Sequence, residues 1–337
     1  MASDTRYWRD RSALPGAAII AMAAGLLMQS LPAGAVEGGS GAYLLGSRDM
    51  MAGVVPPPGH YANLDVIHIG GSVEKVAIGG IALTNAEIDA WIAKPGVTFV
   101  APAPAAGGRM ALNIQLPMAS VNMDFTGVLG GLIAGTLSDE QIGMGDPSVT
   151  PLIGWDAGRW HANLSLPVYV PIGNYDTASI EPGRPPRVDV VSIGKNKWAV
   201  DPTLAVTWLD PRSGFELSGA AGITFSAINA ATDYQTAPEL HVEATIGQHF
   251  GNGAALAMTG YWYQQLANDS GAGAERFEAV TRAESLQARV FGIGPVLNWN
   301  TSLAGRPLAF EAKYLHEFGA KRRFESDIVW GSVVFGF

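Results

Sequence analysis

From residue 160 onward, apolar and polar positions alternate with period two. Trp160, Ala162, Leu164, Leu166, Val168 and Val170 share one face, and His161, Asn163, Ser165 and Tyr169 the other. Trp198, Val200, Leu204, Val206 and Trp208 alternate with Lys197, Asp201, Thr203 and Thr207. Leu240, Val242, Ala244 and Ile246 alternate with His241, Glu243 and Thr245, and Leu308, Phe310, Ala312 and Tyr314 with Glu311 and Lys313. Successive side chains of a strand point to opposite faces, so each segment is a strand with one apolar and one polar side.

Three features favour a membrane barrel over a soluble sandwich. The segments run to about 10 residues, the length of a tilted membrane strand. Trp160, Trp198, Trp208, Tyr261 to Tyr263, Trp299 and Tyr314 stand near segment ends, where an aromatic girdle would lie. Counted back from Phe337, tight connections at 156–157, 210–213, 251–253 and 300–306 alternate with longer ones at 172–195, 228–238, 265–284 and 319–326, the inner and outer sides of a bacterial barrel. The expected fold is an all-β transmembrane antiparallel up-and-down barrel of about twelve strands, near 59–70, 95–102, 109–126, 147–155, 158–171, 196–208, 214–227, 239–250, 254–264, 285–299, 307–318 and 327–337. A phase switch within 109–126 predicts a β-bulge near Pro117. Thr84-Asn85-Ala86-Glu87 reads as a capping box, and Ile88, Trp91 and Ile92 follow at helical spacing, which predicts a short helix over 84–93 in the first outer loop. GVLGGLIAG (127–135) is an apolar outer loop suited to constricting the mouth or packing on its rim.

The chain closes on DIVWGSVVFGF, with Val329, Val333, Phe335 and Phe337 on one face. An apolar strand ending on an aromatic residue, with Val333, Phe335 and Phe337 outward, is the signal that barrel-assembly machinery reads. Because a bare strand edge cannot stand in lipid, it must pair with the first strand, near Tyr61 to Ile69.

Composition sets the compartment. Only 15% of residues are charged, Cys is absent and the net charge is −9, against a nucleic-acid partner or a thiolate site. Arg6, Arg9 and Arg11, then apolar Gly16 to Met28, then Ala33-Gly34-Ala35 form a secretory signal too short to span a bilayer. The expected organisation is a signal peptide over 1–35, an N-terminal periplasmic or luminal segment over 36–58, and an outer-membrane barrel over 59–337 in a Gram-negative bacterium.

Candidate chemistry is that of a pore. The sequence contains no Walker loop, G-x-S-x-G elbow or H-E-x-x-H pair, and His241 and His249 are too far apart on one strand to share a metal unaided. No catalytic residue, metal or cofactor is expected. The polar faces carry His161, Asp201, Glu216, His241, Glu243, Arg289, Glu311, Lys313 and Glu317, which would point into the lumen. They would form either a selective eyelet or an ion-pair network filling the interior. Trp91, Leu129 and Leu132 are candidate apolar contacts for capturing a hydrophobic ligand at the mouth.

Six stretches carry a family resemblance: MAGVVPPPGHY (51–61), GDPSVTPLIGW (145–155), LPVYVPIGNY (166–175), NAATDY (229–234), GYWYQQLANDSGAGA (260–274) and IGPVLNW (293–299). They resemble the SphA-like outer-membrane proteins, also labelled as a meta-pathway of phenol degradation family. The resemblance runs from about Tyr43 to Phe337. It implies an outer-membrane transporter for hydrophobic or aromatic compounds, without catalytic residues. The expected function is thus passive passage of such solutes. A general small-solute porin and a plugged structural or lipid-acting barrel are the alternatives.

Overall fold

The computed structural model describes residues 37–128, 136–181, 187–281 and 287–337. The expected signal segment 1–35, and Leu129 and Leu132, lie outside them.

Twelve strands form one closed antiparallel wall. These are β1 (Gly59–Ile78), β2 (Ile81–Val100), β3 (Arg109–Gln115, resuming as Met118–Phe125), β4 (Leu137–Met144, resuming as Ser148–Ala157), β5 (Trp160–Ser165 and Val168–Tyr169) and β6 (Ala199–Val200 and Thr203–Leu209). The second half is β7 (Phe215–Ser226), β8 (Glu239–His249), β9 (Ala254–Gln265), β10 (Arg289–Leu303), β11 (Arg306–Lys321) and β12 (Glu325–Gly336). Closure occurs between the ends of the chain: β1 pairs with β12 from Tyr61↔Gly336 to Ser72↔Glu325, and Phe337 N donates to His60 O at 2.9 Å. No ladder edge is left bare at this seam, which is the condition for a sheet in lipid.

The wall is inside out relative to a soluble sandwich. On β8, Glu239, His241, Glu243 and Thr245 are buried, while Val242 and Ile246 face outward. Leu297 is 58% exposed and Glu243 1%. Trp160, Trp198, Trp299 and Tyr314 are outward and exposed. Tyr261 and Tyr263 correct the expected girdle: they point inward, and their hydroxyls donate to Glu317 Oε1 at 2.8 Å and Glu239 Oε1 at 2.5 Å. Their strand alternates Ala255, Ala257, Thr259, Tyr261 and Tyr263 inward, and the intervening Trp262 takes the outward position.

Residues 84–93 are strand, not helix. β1 and β2 pair from Gly59↔Val100 to Val73↔Ala86 and, past a single unpaired step at Glu74 and Asn85, from Lys75↔Thr84 to Ile78↔Ile81. The capping-box residues are thus the middle of a long hairpin. The short helix of the outer loops is instead α1 (Ala272–Thr281), between β9 and β10. Asp233, from another outer loop, caps it, accepting from Gly273 N at 2.9 Å through its carbonyl.

The expected phase switch at Pro117 is absent: Met110, Leu112, Ile114, Leu116 and Met118 face outward and Met123 and Phe125 inward in one unbroken phase, in unchanged register with β2, and Pro117 marks one of a row of strand breaks. Leu116 N donates to Pro95 O at 3.0 Å, Gly145 N to Pro117 O at 2.9 Å, Val170 N to Pro147 O at 2.9 Å and Asp201 N to Pro167 O at 2.9 Å. Proline has no N–H for the ladder, and Pro117, Pro147 and Pro167 fall at interruptions of β3, β4 and β5, while Pro95 lies within unbroken β2. The breaks line up across β3 to β6, and the carbonyls of Pro117, Pro147 and Pro167 each accept from an amide of the next strand.

Above the wall, the outer mouth is roofed. The β1–β2 hairpin carries Val73, Val76, Ile78 and Leu83 inward onto Phe125, Val190, Val191 and Phe324. Its tip residues Ala77 and Ala82 pack with Tyr234 and with Ala274 and Phe277 of α1. Asp269 braces this roof: it accepts from Tyr234 OH and Ala237 N, each at 2.7 Å, and from Gln265 Nε2 at 2.6 Å. Burial pushes its carboxyl up to about 7. The native roof therefore binds the Asp269 proton more tightly than an opened roof, whose Asp titrates near an ordinary carboxylate value of about 3.9. Roof stability is highest below that ordinary value and falls as pH rises towards 7. Amide-exchange opening free energies at Ala237 should be larger at pH 5 than at pH 8, and Asp269→Asn should flatten that difference.

Candidate functional site

The lumen has two unlike halves. The half bounded by β5 to β11 is filled by the chain's own N-terminal segment, residues 37–58. Tyr43 OH donates to Glu243 Oε1 at 2.7 Å, and the Tyr43 ring stacks on His241 at 3.7 Å. Arg48 N donates to Glu243 Oε2 at 2.8 Å and Met51 N to Glu216 Oε1 at 2.6 Å. Gly53 N donates to Thr207 Oγ1 at 2.9 Å, and Asn163 Nδ2 to Ala52 O at 2.7 Å. Lys313 Nζ reaches Gly46 O at 2.7 Å, Asp49 Oδ2 at 2.5 Å and Glu311 Oε1 at 3.2 Å. The segment's upper end is tied at the mouth, where Thr232 Oγ1 donates to Glu37 Oε1 at 2.7 Å and Gly38 N to Ala77 O at 2.7 Å.

This accounts for most of the charged positions singled out in the sequence. Glu216, Glu243, Glu311 and Lys313 contact the segment directly or through Asp49. Asp201 stands behind His241, whose Nε2 lies 3.1 Å from both of its oxygens. Glu317 accepts from Tyr261 and from Ser326 N at 3.0 Å and pairs with Arg323 at 3.3 Å. His161 sits near the inner rim, its Nδ1 2.5 Å from Asp156 Oδ1. Burying these ions is tolerable because each has an opposite charge or several donors.

Arg289 is a correction. It occupies the outward phase of β10 with Phe291, Ile293 and Leu297, opposite the outward Gln264 of β9. Val290, Gly292, Gly294 and Val296 take the inward positions of that strand. Trp91 is a second correction: it is 55% exposed on the outer face of β2, against His68, not in a capturing loop. Val333, Phe335 and Phe337 share the outward face of β12, and Phe337 stacks on Phe335 and His60.

The half bounded by β12 and β1 to β4 is open. A cavity of about 670 Å³ runs from Ile78, Gly79 and Phe324 under the roof to Val55, Tyr61 and Val334 near the inner end. Toward β12 and β1 to β4 its wall is largely apolar, with Ile69, Ile88, Ile92, Val121, Ile328 and Trp330, and toward the N-terminal segment and β11 it carries Arg48, Asp49, Glu311, Lys313, Glu317 and Arg323. Lys94 Nζ also enters it, 3.4 Å from Asp65 and 5.0 Å from the Trp330 ring. The sequence signal for these residues was a loss of alternation. On β12, β1 and β2 both faces carry apolar side chains, as in Ile328-Val329-Trp330 and Val66-Ile67.

The arrangement can be set beside known proteins. The fold is similar to the COG4313 outer membrane channel from Pseudomonas putida F1, at TM-score 0.63 and 12% identity, over 84% of this chain and 97% of that one. The beta domain of the Bordetella autotransporter BrkA matches at TM-score 0.47 and 13% identity, over 84% of this chain and all (100%) of that domain. No curated protein matches the sequence. A family model matches residues 74–332. By that match, across most of its length, the chain belongs to the family described as "Putative MetA-pathway of phenol degradation", and it is a β-barrel of the Gram-negative outer membrane.

Proposed function

We propose that the protein is a passive channel for hydrophobic and aromatic small molecules. The observation that carries the reading is the apolar cavity alongside a segment-filled half-lumen. Its volume of about 670 Å³ falls within the roughly 300–1,000 Å³ of small-ligand sites. That suits passage of one solute at a time. The apolar lining, including Ile69, Ile92, Val121 and Trp330, favours solutes that shed their water readily. The family description, which concerns phenol degradation, supports an aromatic solute class. On this reading the charged residues Glu216, Glu243, Glu311 and Lys313 anchor the N-terminal segment, and the apolar half carries the solute. Residues 1–35 are the export signal removed before assembly, and Val333, Phe335 and Phe337 are what the assembly machinery recognises.

The test is an uptake screen with phenols, alkylbenzenes, long-chain amines and fatty acids, in cells whose outer membrane lacks other hydrocarbon channels. Aromatic and alkyl solutes should enter, and Val121→Trp, which fills the cavity, should cut their uptake by on the order of tenfold. Free passage of small sugars with no preference for apolar solutes would overturn the assignment.

A further inference from the structure

We propose, resting on the channel reading above, that the solute is amphipathic, an aromatic body with one terminal acceptor oxygen, and that Lys94 receives this oxygen partway down the cavity.

The inward face of β12 and β1 to β4 is layered. Register sets the inward side chains of neighbouring strands in rows, with successive rows roughly 7 Å apart along a strand. The rows nearest the roof are apolar: Ile88 and Met123 share one, Ile69, Val121 and Ile328 the next, and Ile92 and Trp330 the third. Beneath them Lys94, Asp65 and Ser332 form one ionic row. The two rows below are polar and uncharged. Asn63, Gln115 and Ser148 make the first, and Thr98, Asn113 and Thr150, beside Tyr61, the second. All of these polar side chains line the cavity. A hydrocarbon descending past Ile92 strips water from such groups and returns no hydrogen bond, whereas a solute with an oxygen at its leading end replaces what it displaces.

Lys94 has the donors to receive that oxygen. The other cations on the cavity wall are committed to the chain itself. Lys313 is held by Gly46 O and Asp49, Arg48 Nη2 donates to Ser165 Oγ at 2.9 Å, and Lys195 Nζ to Ser40 Oγ at 2.9 Å. Lys197 donates to Thr236, and Arg323 pairs with Glu317 at 3.3 Å. Lys94 Nζ lies 3.4 Å from Asp65 Oδ2, long against the roughly 2.7–2.9 Å of a charge-assisted bond. Asp65 is better supplied, since Ser332 Oγ donates to its other oxygen at 2.7 Å. One long ion pair leaves donor capacity on an ammonium that carries three N–H groups. One row lower, the Gln115 amide lines the cavity and has no hydrogen-bond partner among the described residues.

The position of Lys94 fits an aromatic body. Its Nζ stands 5.0 Å from the centre of the Trp330 ring, and Ile92 precedes it by two residues on the same face. A single ring resting on Ile92 and Trp330 thus puts a substituent directed inward along the cavity into the Lys94 row. A phenol hydroxyl there can accept from Lys94 and donate to Asp65, while a carboxylate can only accept.

The experiment compares ethylbenzene, 4-ethylphenol and 4-ethylbenzoate, which share one body and differ in the head. Uptake is measured against concentration in cells whose outer membrane lacks other hydrocarbon channels. The wild-type protein should half-saturate with 4-ethylphenol or 4-ethylbenzoate at a concentration on the order of tenfold lower than with ethylbenzene. Lys94→Met should abolish that preference and leave ethylbenzene uptake unchanged, which also shows that the variant barrel is assembled. Lys94→Arg should keep the preference, and Gln115→Leu should weaken it by about threefold. The solute with the larger Lys94→Met loss identifies the head as hydroxyl or carboxylate. Equal half-saturation for all three solutes in wild type, or a Lys94→Met loss as large for ethylbenzene as for the other two, overturns the head-group site and leaves the channel reading standing. If none of the three enters through the wild-type protein, both readings fall together.

Discussion

Deleting residues 37–56 from the exported protein should raise single-channel conductance in planar bilayers by on the order of tenfold, because a ring of this size lies between barrels packed solid with side chains and open porins. The half-lumen between β5 and β11 is occupied by that segment and by the side chains gripping it. Once it is gone, Glu216, Glu243 and Lys313 lose Met51 N, Tyr43 and Asp49, and water takes their place. Gly53→Val is the gentler version. A Cβ there would meet His161 O and Thr207 N, each at 2.5 Å, and these are backbone atoms of the wall that cannot swing aside. Its conductance should lie between wild type and the deletion. An unchanged conductance in both variants would mean that the segment does not obstruct the pore.

The second large effect is on stability in the membrane. Ile246→Arg should destabilise the folded barrel by about 2–4 kcal/mol, the cost of an Arg on the lipid face near mid-membrane. Ile246 is 51% exposed, faces outward beside Met258 of β9, and belongs to the apolar belt. Urea titration in vesicles measures it, as a lower midpoint. The neighbouring position is the contrast. Thr245 points inward, its hydroxyl 2.7 Å from that of Thr259. Replacing both by Val removes donor and acceptor together and should change the midpoint little. Equal losses at 245/259 and 246 would contradict the assignment of faces.

The readability of the sequence followed the environment of each strand. Along β5 to β9, one face meets lipid and the other a polar interior, so the alternation His241, Glu243 against Val242, Ile246 is sharp, and the strand bounds were legible nearly to the residue. Along β2 the polar–apolar contrast fails. Glu87 and Asp89 are outward above the apolar belt, while Ile88 and Ile92 face the cavity, and this mixture imitates a helix with a capping box. Arg289 and Tyr261 depart from expectation for a related reason: residue type alone does not fix the direction of a side chain. In this wall a Tyr bonded to a buried carboxylate belongs inside, and Arg289 takes the outward phase between Gln264 and Lys321 of the flanking strands.

The sequence by itself determined that the chain forms a barrel, how many strands it has, and that its last strand closes on its first. Those properties rest on period-two patterning and on the requirement that no ladder edge remain unpaired in lipid. Only the tertiary structure decided what fills the barrel. Residues 37–58 have no period and no strand or helix signal, and their partners lie far along the chain, Tyr43 meeting a carboxylate 200 positions away. The same contacts divided the interior into an anchored polar half and an open apolar half. That division depends on which inward faces come to stand opposite one another when the ring closes, and no local pattern encodes it.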